Sequence, residues 1–389
     1  MKKQVDVIGA GISGLMSAYY LVEKGYKVTV YEREPYPAMQ CSYANGGQIS
    51  VCNSETWNNW PTVWKGAKWL FKKDAPLLIR PYPSLAKMKW VAGFLRHTLN
   101  GSHIDNTIKT IKLGIESRNL YNEIDKKHGL ESLYNKVDNG MMHIHTNESD
   151  YYHACSMMEL YHAYGLDWEM ISPDRVLEIE PALKSFKNIV GGTYIRSGWS
   201  GDIHKYCNLI KKILVTKGVV FNFNETFNVN DIIYPTVIAT GYEMQNHAKE
   251  IGDSFNIYPV KGYSITVNLN SEKSIMSAPW VSLLDNNKKI VASRMGNRLR
   301  VAGTAELDDV NFDIRRDRIK PLLNWVQENF EDVSTEDYSS WACLRPMNSN
   351  MMPIVQKSKV NDNVFYNGGH GHLGWTLGAV TGKMVAELI

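Results

Sequence analysis

Cysteine is sparse and scattered in this sequence. Five occur in 389 residues, at Cys41, Cys52, Cys155, Cys207 and Cys343, with no C-x-x-C pair and no histidine at zinc-finger spacing. A disulfide framework and a structural metal cluster are therefore excluded as organising features, and a reducing cytoplasm fits. No apolar run reaches the roughly 18 residues that a membrane-spanning helix needs. The apolar stretch near the start follows Lys2 and Lys3 directly and reads as a strand, so no secretory signal is expected. Excess charge of one sign is missing too: 43 Lys and Arg against 40 Asp and Glu leave +3, weak for a nucleic-acid binder. Repeats, low-complexity segments and Pro/Gly-rich linkers are absent, so any domains should be interleaved along the chain. No Ser–His–Asp set and no H-E-x-x-H motif stands out. His143 and His145 alternate onto one strand face, but no third ligand has a metal-site spacing, and no metal is expected.

What the sequence does have is glycine, in two clusters. The first lies in "QVDVIGAGISGLMSAYYLVEKGYKVTVYERE", residues 4–34. A buried strand, "VDVI", runs into G-A-G-I-S-G, then a helix stopped by Gly25, then a second buried strand, "KVTVYE". This is the dinucleotide-binding pattern in its strand–turn–helix–strand context. Gly9 makes the tight turn, Gly11 lets backbone approach a pyrophosphate, and Gly14 lets helix and strand pack. Ile12 and Ser13 begin the helix, whose unpaired N–H groups and positive dipole end favour phosphates. Glu32 ends the second strand, placed to accept from the ribose hydroxyls. A carboxylate there repels a 2′-phosphate, so NADP is disfavoured and FAD and NAD remain.

The second cluster closes the sequence: "FYNGGHGHLGWTLGAVTGKMVAEL", residues 365–388. Gly374, Gly378 and Gly382 recur every four residues and share one helix face, smooth enough for close approach to the first helix or the sheet. Ahead of them, Gly369, His370, Gly371, His372, Leu373, Gly374 and Trp375 can turn N–H groups toward an electron-rich ring. A helix N-terminus stabilises the negative charge of a reduced flavin, and a nicotinamide has no such need. The pairing of the two clusters therefore favours FAD over NAD.

With these pieces in place, the sequence resembles the D-amino-acid dehydrogenase branch of the D-amino-acid oxidase superfamily. Besides the glycine clusters, the matching segments include "YEREPYPAMQCSYANGGQIS", "KWLFKKDAPLLIRP", "EIEPAL", "YPVKGYSITV", "NRLRVAGTAE" and "CLRPM". The resemblance implies a non-covalent FAD and an α/β fold: a doubly wound, glutathione-reductase-like dinucleotide domain interleaved with an α+β substrate domain built on a mixed sheet. Residues 1–55, 175–250 and 338–389 are expected in the first, and 56–174 and 251–337 in the second. By the same resemblance the loop at 39–50 wraps the pyrophosphate and the flavin edge through Ser42, Asn45, Gly46, Gly47 and Gln48. Arg33 stacks on the adenine, and Gly241 ends a strand near the pyrophosphate.

For the substrate, Arg345 carries a planar fork that matches a carboxylate with two parallel hydrogen bonds, and the resemblance implies that it holds the substrate carboxylate. Tyr258 and Tyr263 are candidate pocket residues, and His370 a candidate for contact with ring or substrate. The implied reaction is hydride transfer from the carbon bearing the amine to flavin N5, giving an imino acid that water hydrolyses to a 2-oxo acid and ammonia. A secondary-amine enzyme acting on D-proline, hydroxyproline or sarcosine, and a flavin-binding protein without turnover, stand as alternatives. Quinone and O2 are both open as electron acceptor. Residues 60–97 combine Trp60, Trp64, Trp69 and Trp90 with Lys65, Lys68, Lys72, Lys73, Arg80, Lys87, Lys89 and Arg96, which suggests a helical surface for an anionic membrane face, or a solvated basic face. Three departures from the family stand out, one of them "RSGWSGD", 196–202, which carries a tryptophan and serine where the family has a more acidic turn. The stretch 224–235 is shorter than the usual hairpin, and "NSNMM", 348–352, replaces a turn expected near the flavin, which leaves the substrate open.

Overall fold

The computed structural model describes residues 3–69, 76–80, 82 and 84–389. Lys2, Lys72 and Lys73 lie outside them. Among the described residues, two large sheets organise the chain, beside a two-stranded pair of Gln48–Ile49 with Trp199–Ser200.

The β-branched runs at the start make the smaller sheet. Gln4–Ile8 lies at its centre, parallel to Lys27–Glu32 on one side (Val5 opposite Val28) and to Thr236–Ile238 on the other (Ile8 opposite Ile238). The sheet runs Ile354–Lys357, Val364–Gly368, Thr236–Ile238, Gln4–Ile8, Lys27–Glu32, Val220–Phe223, and only its first strand is antiparallel to its neighbour. Parallel strands put their carboxyl ends on one edge, where open α/β sheets bind ligands. Here that edge presents Gly9, Glu32, Ala239 and Gly368.

Two helices meet against this sheet, Ile12–Glu23 and Gly374–Leu388. Their close approach depends on glycine. A Cβ at Gly382 would sit 2.6 Å from the Met16 carbonyl carbon, and one at Gly378 would sit 3.1 Å from Ile12 Cγ1. Val5, Val7, Leu15, Met16, Val28 and Val30 fill the core beneath, joined by Trp199, Tyr206 and Trp375.

Among the described residues the larger sheet has nine strands, in the order Tyr338–Asn348, Ile257–Asn268, Arg298–Leu307, Ile290–Arg294, Ser282–Asp285, Met141–His145, Gly191–Ile195, Trp168–Ile171, with Leu77–Ile79 beside Arg298–Leu307. It is mixed: mostly antiparallel, with parallel pairs where Ser282–Asp285 meets Met141–His145 and where Leu77–Ile79 meets Arg298–Leu307. Strand pairing shifts the expected boundaries. Residues 191–195 and 338–348, expected with the dinucleotide segments, hydrogen-bond into the larger sheet. A short buried strand such as "GGTYI" carries no local mark of its partner. Between Gly262 and Tyr263 the register slips against Gly303 and Ala305, leaving Thr304 as an extra residue with φ of +50°. Bulges of this kind gather beside active sites.

Candidate active site

A cavity of about 970 Å³ lies between the carboxyl edge of the smaller sheet and one face of the larger sheet. That is at the upper end of the about 300–1,000 Å³ usual for ligand sites.

At its dinucleotide end, Gly9 takes φ of +99° and its Cβ would press on the Ala239 carbonyl at 2.7 Å. Gly14 does not line the cavity; a Cβ there would fall 1.8 Å from the Gly9 oxygen, so its role is contact between turn and helix. Gly11, Ile12 and Ser13 do line it, and the first helix begins with no side-chain cap on Gly11 and no acid in its first turn. Its N-terminal N–H groups are thus left for a ligand, save that of Ile12, which donates to Ser42 Oγ at 3.1 Å. Glu32 is steered by two backbone donors, Ala10 N–H at 2.7 Å and Glu34 N–H at 3.0 Å. Burial raises its pKa, and those two hydrogen bonds oppose the rise. Arg33 reaches the rim, where its guanidinium is paired with Glu243. Gly241, at φ of +62°, has no neighbour within 4 Å of a Cβ position.

The polar loop at 39–50 is tied largely to the protein itself. Asn45 Oδ1 accepts from Gly47 N–H at 2.8 Å, the Gly46 carbonyl accepts from Ser293 Oγ at 2.7 Å, and Gln48 Nε2 donates to Ser282 Oγ at 2.8 Å. Gly47 takes φ of +72°, and its Cβ would lie 2.3 Å from Met295 Cε. The loop therefore lines the cavity through backbone and packing more than through free side chains.

At the ring end, the last helix also starts without a side-chain cap, and a Cβ at Gly374 would meet nothing within 4 Å. Both helix N-termini, from opposite ends of the sequence, thus open on one cavity. Gly369 and Gly371 take positive φ and pack against Ile354 and Met347, and Leu373 is buried at the helix start. Trp375 turns into the aromatic core beside Trp199, 5.6 Å between ring centroids.

Arg345 enters from the long strand Tyr338–Asn348. Its guanidinium makes no hydrogen bond or ion pair with any described residue, although it lines the cavity. Its diagonal neighbour on the adjacent strand explains how it fits: a Cβ at Gly262 would lie 2.3 Å from the guanidinium carbon. Tyr263 faces the same space, its hydroxyl donating to the buried Glu306 at 2.6 Å. Glu306 is held in turn by Arg80 at 3.1 Å and Arg315 at 2.7 Å.

A family model described as FAD dependent oxidoreductase matches residues 4–388. The chain belongs to that family. It is 45% identical over 405 aligned positions to D-amino acid dehydrogenase 3 of Mesorhizobium japonicum, spanning 99% of this chain and 97% of that protein. It is 33% identical to D-amino acid dehydrogenase of Dechloromonas aromatica, spanning 99% and 96%. Among solved structures, glycine oxidase from Geobacillus kaustophilus superimposes with a TM-score of 0.75 at 17% identity, covering 100% of this chain and 95% of that one. L-alpha-glycerophosphate oxidase from Mycoplasma pneumoniae with FAD bound gives 0.71 at 17% identity, covering 100% and 94%.

The cofactor of this FAD-dependent oxidoreductase fits the residues present. Gly241 and Gly374 leave open the space that a side chain would fill, both helix N-termini are uncapped, and Glu32 stands at the carboxyl end of its strand. Gly11, Ile12 and Ser13 line the cavity where they would hold the diphosphate, and the stretch from Gly371 to Gly374 where it would border the ring.

In this oxidoreductase three sequence expectations need correction. Tyr258 does not line the cavity. It is fully buried beside Trp90, where its hydroxyl donates to Asp309 Oδ1 at 2.7 Å. His370 has both ring nitrogens engaged: Nε2–H donates to Thr381 Oγ1 at 2.9 Å, and Nδ1 lies 3.4 Å from Ser13 Oγ. Burial lowers its pKa to about 4, so it is a neutral tie between the first and last helices. The "NSNMM" turn packs away from the cavity, with the Ser349 carbonyl accepting from Asn58 and the Asn350 carbonyl from Asn106. Among the described residues, no group of three or more His, Cys, Asp or Glu could hold a metal ion. His143 Nε2 lies 3.1 Å from Cys52 Sγ, and His145 is bonded to Thr193 and Asn286.

Sequence reasoning missed Gly262, Glu306 and Trp57. Trp57 stacks on His372 with ring centroids 4.7 Å apart. Only the first had a signal, a glycine inside an otherwise regular strand pattern, which marks close backbone approach.

Proposed function

We propose that this FAD-dependent oxidoreductase oxidises a D-amino acid, with Arg345 holding the substrate carboxylate. The observation that carries the reading is the unpartnered guanidinium in the cavity, for which Gly262 leaves room. A half-buried charge with no protein partner forfeits part of its hydration, and a carboxylate received as two parallel hydrogen bonds offsets that cost. The names of the relatives at 45% and 33% identity support the amino-acid class and the D configuration. FAD, held non-covalently, would supply the acceptor for a hydride from the carbon bearing the amine, and the imino acid so formed would be hydrolysed by water to a 2-oxo acid and ammonia. Arg345 fixes the carboxylate end, and Tyr263, locked by Glu306, presents its ring as a wall. The two helix N-termini supply fixed partial positive charge at opposite ends of the cavity. Anaerobic incubation with D-amino acids is expected to bleach the oxidised flavin bands, and L-enantiomers to leave them. A flavin that stays oxidised through a broad D-amino-acid panel, or bleaches faster with cyclic imino acids, overturns the assignment.

We also infer that the oxidoreductase meets an anionic membrane surface, where a quinone takes the electrons. No helix among the described residues is long and apolar enough to cross a membrane. The helix Trp60–Trp69 buries none of its residues; Trp64 is 64% exposed, and Leu85 and Leu99 of the following helix are 85% and 69% exposed. Lys68, Lys89 and Arg96 are exposed on the same two helices. Trp90 and Lys87 take no part: Trp90 Nε1–H donates to the Met347 carbonyl, and Lys87 is turned onto the carbonyls of Arg80 and Tyr82. Sedimentation with vesicles rich in phosphatidylglycerol should carry the protein down, and zwitterionic vesicles should not. Equal recovery in both supernatants removes the membrane reading, and hydrogen peroxide formation at the rate of dye reduction makes O2 the acceptor.

A further inference from the structure

The cavity wall carries a second cation without a partner. Lys289, with φ of +55°, leads into the strand Ile290–Arg294 and lines the cavity. Among the described residues its ammonium makes no hydrogen bond or ion pair. Strand register fixes where it stands relative to Arg345. Ala302 pairs with Ser264 on one side and with Val291 on the other. Residues two apart on a strand share a face. One step along that face, Ser264 gives way to Gly262 and Val291 to Lys289, with the bulge at Thr304 between them. A Cβ on Gly303, beside the bulge, would lie 3.1 Å from the Lys289 carbonyl. Gly262 is the residue over which the Arg345 guanidinium rests. That guanidinium and the base of Lys289 are thus two strand spacings apart, about 10 Å, on one face of the larger sheet and in one cavity.

The Lys289 side chain is exposed, and it is exposed at the cavity wall. Surrounding protein desolvates the ammonium and lowers its pKa, and Asp150 opposes the shift. Two carboxylates of the wall act on its charge, Asp150 and Glu55, and both are engaged elsewhere. Asp150 accepts from Lys65 Nζ at 2.9 Å and from Asn147 Nδ2 at 2.8 Å, and Glu55 accepts from His153 Nε2 at 2.9 Å. Arg345 and Lys289 therefore face the cavity as two positive groups that no described residue neutralises.

We propose that Lys289 receives a second anionic group of the substrate, so that the preferred substrate is a D-amino acid with a short acidic side chain, D-aspartate or D-glutamate. This rests on the Arg345 reading above and narrows it. The α-carboxylate lies in the Arg345 fork, and the side-chain carboxylate meets the Lys289 ammonium. Charge-assisted hydrogen bonds of about 2.8 Å at each end leave a gap that one or two methylenes span, and the flexible lysine stem takes up the difference between the two lengths. A neutral side chain leaves the ammonium unpaired. A cationic one sets like charges together, which disfavours D-lysine and D-arginine.

The test is anaerobic flavin reduction by the holoenzyme, read as the ratio of kred/Kd for D-glutamate to that for D-glutamine, which has the same shape and no charge. In the parent enzyme the ratio should be about 10 to 100, the worth of one hydrogen bond between charged groups, and should be carried by Kd. D-Aspartate against D-asparagine repeats the comparison one methylene shorter. Lys289→Met keeps the stem without the charge and should bring each pair level. Lys289→Glu should invert the preference. The ammonium has no protein bond to lose, so both variants should fold and hold FAD. A parent ratio of one or below overturns the inference. So does a ratio that Lys289→Met leaves unchanged, because a structural role slows both members of a pair alike. Loss of FAD from Lys289→Met overturns it too, since the ammonium then serves the cofactor. D-Alanine, with no second anion, keeps the two readings apart. Arg345→Ala without effect on D-alanine removes the carboxylate reading and the geometry built on it, whereas a level pair in the parent enzyme removes the Lys289 inference alone.

Discussion

Arg345→Ala lowers kcat/KM for the amino-acid substrate by about 30- to 4,000-fold, with FAD content and thermal stability unchanged. The range follows from about 2–5 kcal/mol for truncating one partner of a buried, hydrogen-bonded charge pair, at 1.4 kcal/mol per factor of ten. Stability should not suffer, because the guanidinium contacts no described protein acceptor whose bond would be lost. Arg345→Lys keeps the charge but not the fork, and recovers only part of the loss. Gly262→Ala is the sharper experiment. Its Cβ would lie 2.3 Å from the guanidinium carbon and 2.4 Å from one terminal nitrogen. Those atoms are the far end of a flexible side chain, so the guanidinium moves and the strand stays. The variant should fold, keep its flavin and still lose carboxylate affinity, with the effect falling mainly on KM. Steady-state kinetics beside flavin absorbance would show it. Unchanged kcat/KM in both Arg345→Ala and Gly262→Ala would mean that the carboxylate is held elsewhere.

The contrast between Arg345 and Tyr258 shows what a linear sequence can carry. Arg345 is legible because a guanidinium before a proline, within a matching motif, has few competing uses. Tyr258 and Tyr263 share one strand and look equivalent, yet one is spent on Asp309 and the other borders the cavity. Five residues apart on a strand whose pairing with Tyr338–Asn348 never slips, the two side chains leave opposite faces, and only the partner elements decide which face meets the cavity. His370 and His372 pose the same problem at closer range. They stand two residues apart in one turn, but Thr381 and Ser13 saturate the first, while the second has Asn53 on one nitrogen and nothing on the other. Partners from distant segments make the assignment. The two glycine clusters were readable because their constraints are local, in turn geometry and helix periodicity. The strand at 191–195, inside the stretch 175–250 expected with the dinucleotide domain, pairs into the larger sheet, and it was not legible for the opposite reason, since its place is set only by the neighbours it pairs with.

The closing glycine helix yields the second large effect. Gly382→Ala places a Cβ 2.6 Å from the Met16 carbonyl carbon and 2.8 Å from its oxygen. Alanine in a helix interior is worth about 1 kcal/mol over glycine, so an isolated helix would gain. The obstacle is the backbone of the neighbouring helix, which cannot rotate aside as a side chain can. Overpacking of this kind costs about 1–3 kcal/mol and sometimes more, and the net sign is destabilising. Gly382→Val, with two further carbons and a β-branch, should go further and fail to yield holoprotein. Gly374→Ala is expected to behave in the opposite way. A Cβ there meets nothing, so the apoprotein gains the helix-propensity term and melts higher. The same methyl enters the space left for the flavin ring, so FAD is held less tightly. Calorimetry of apoprotein and holoprotein separates the two. If Gly382→Ala melts at or above the parent temperature, the helices do not depend on that close approach. If Gly374→Ala binds FAD as tightly as the parent chain, the N-terminus of the last helix does not border the cofactor, and the meeting of the two chain ends around it loses its physical basis.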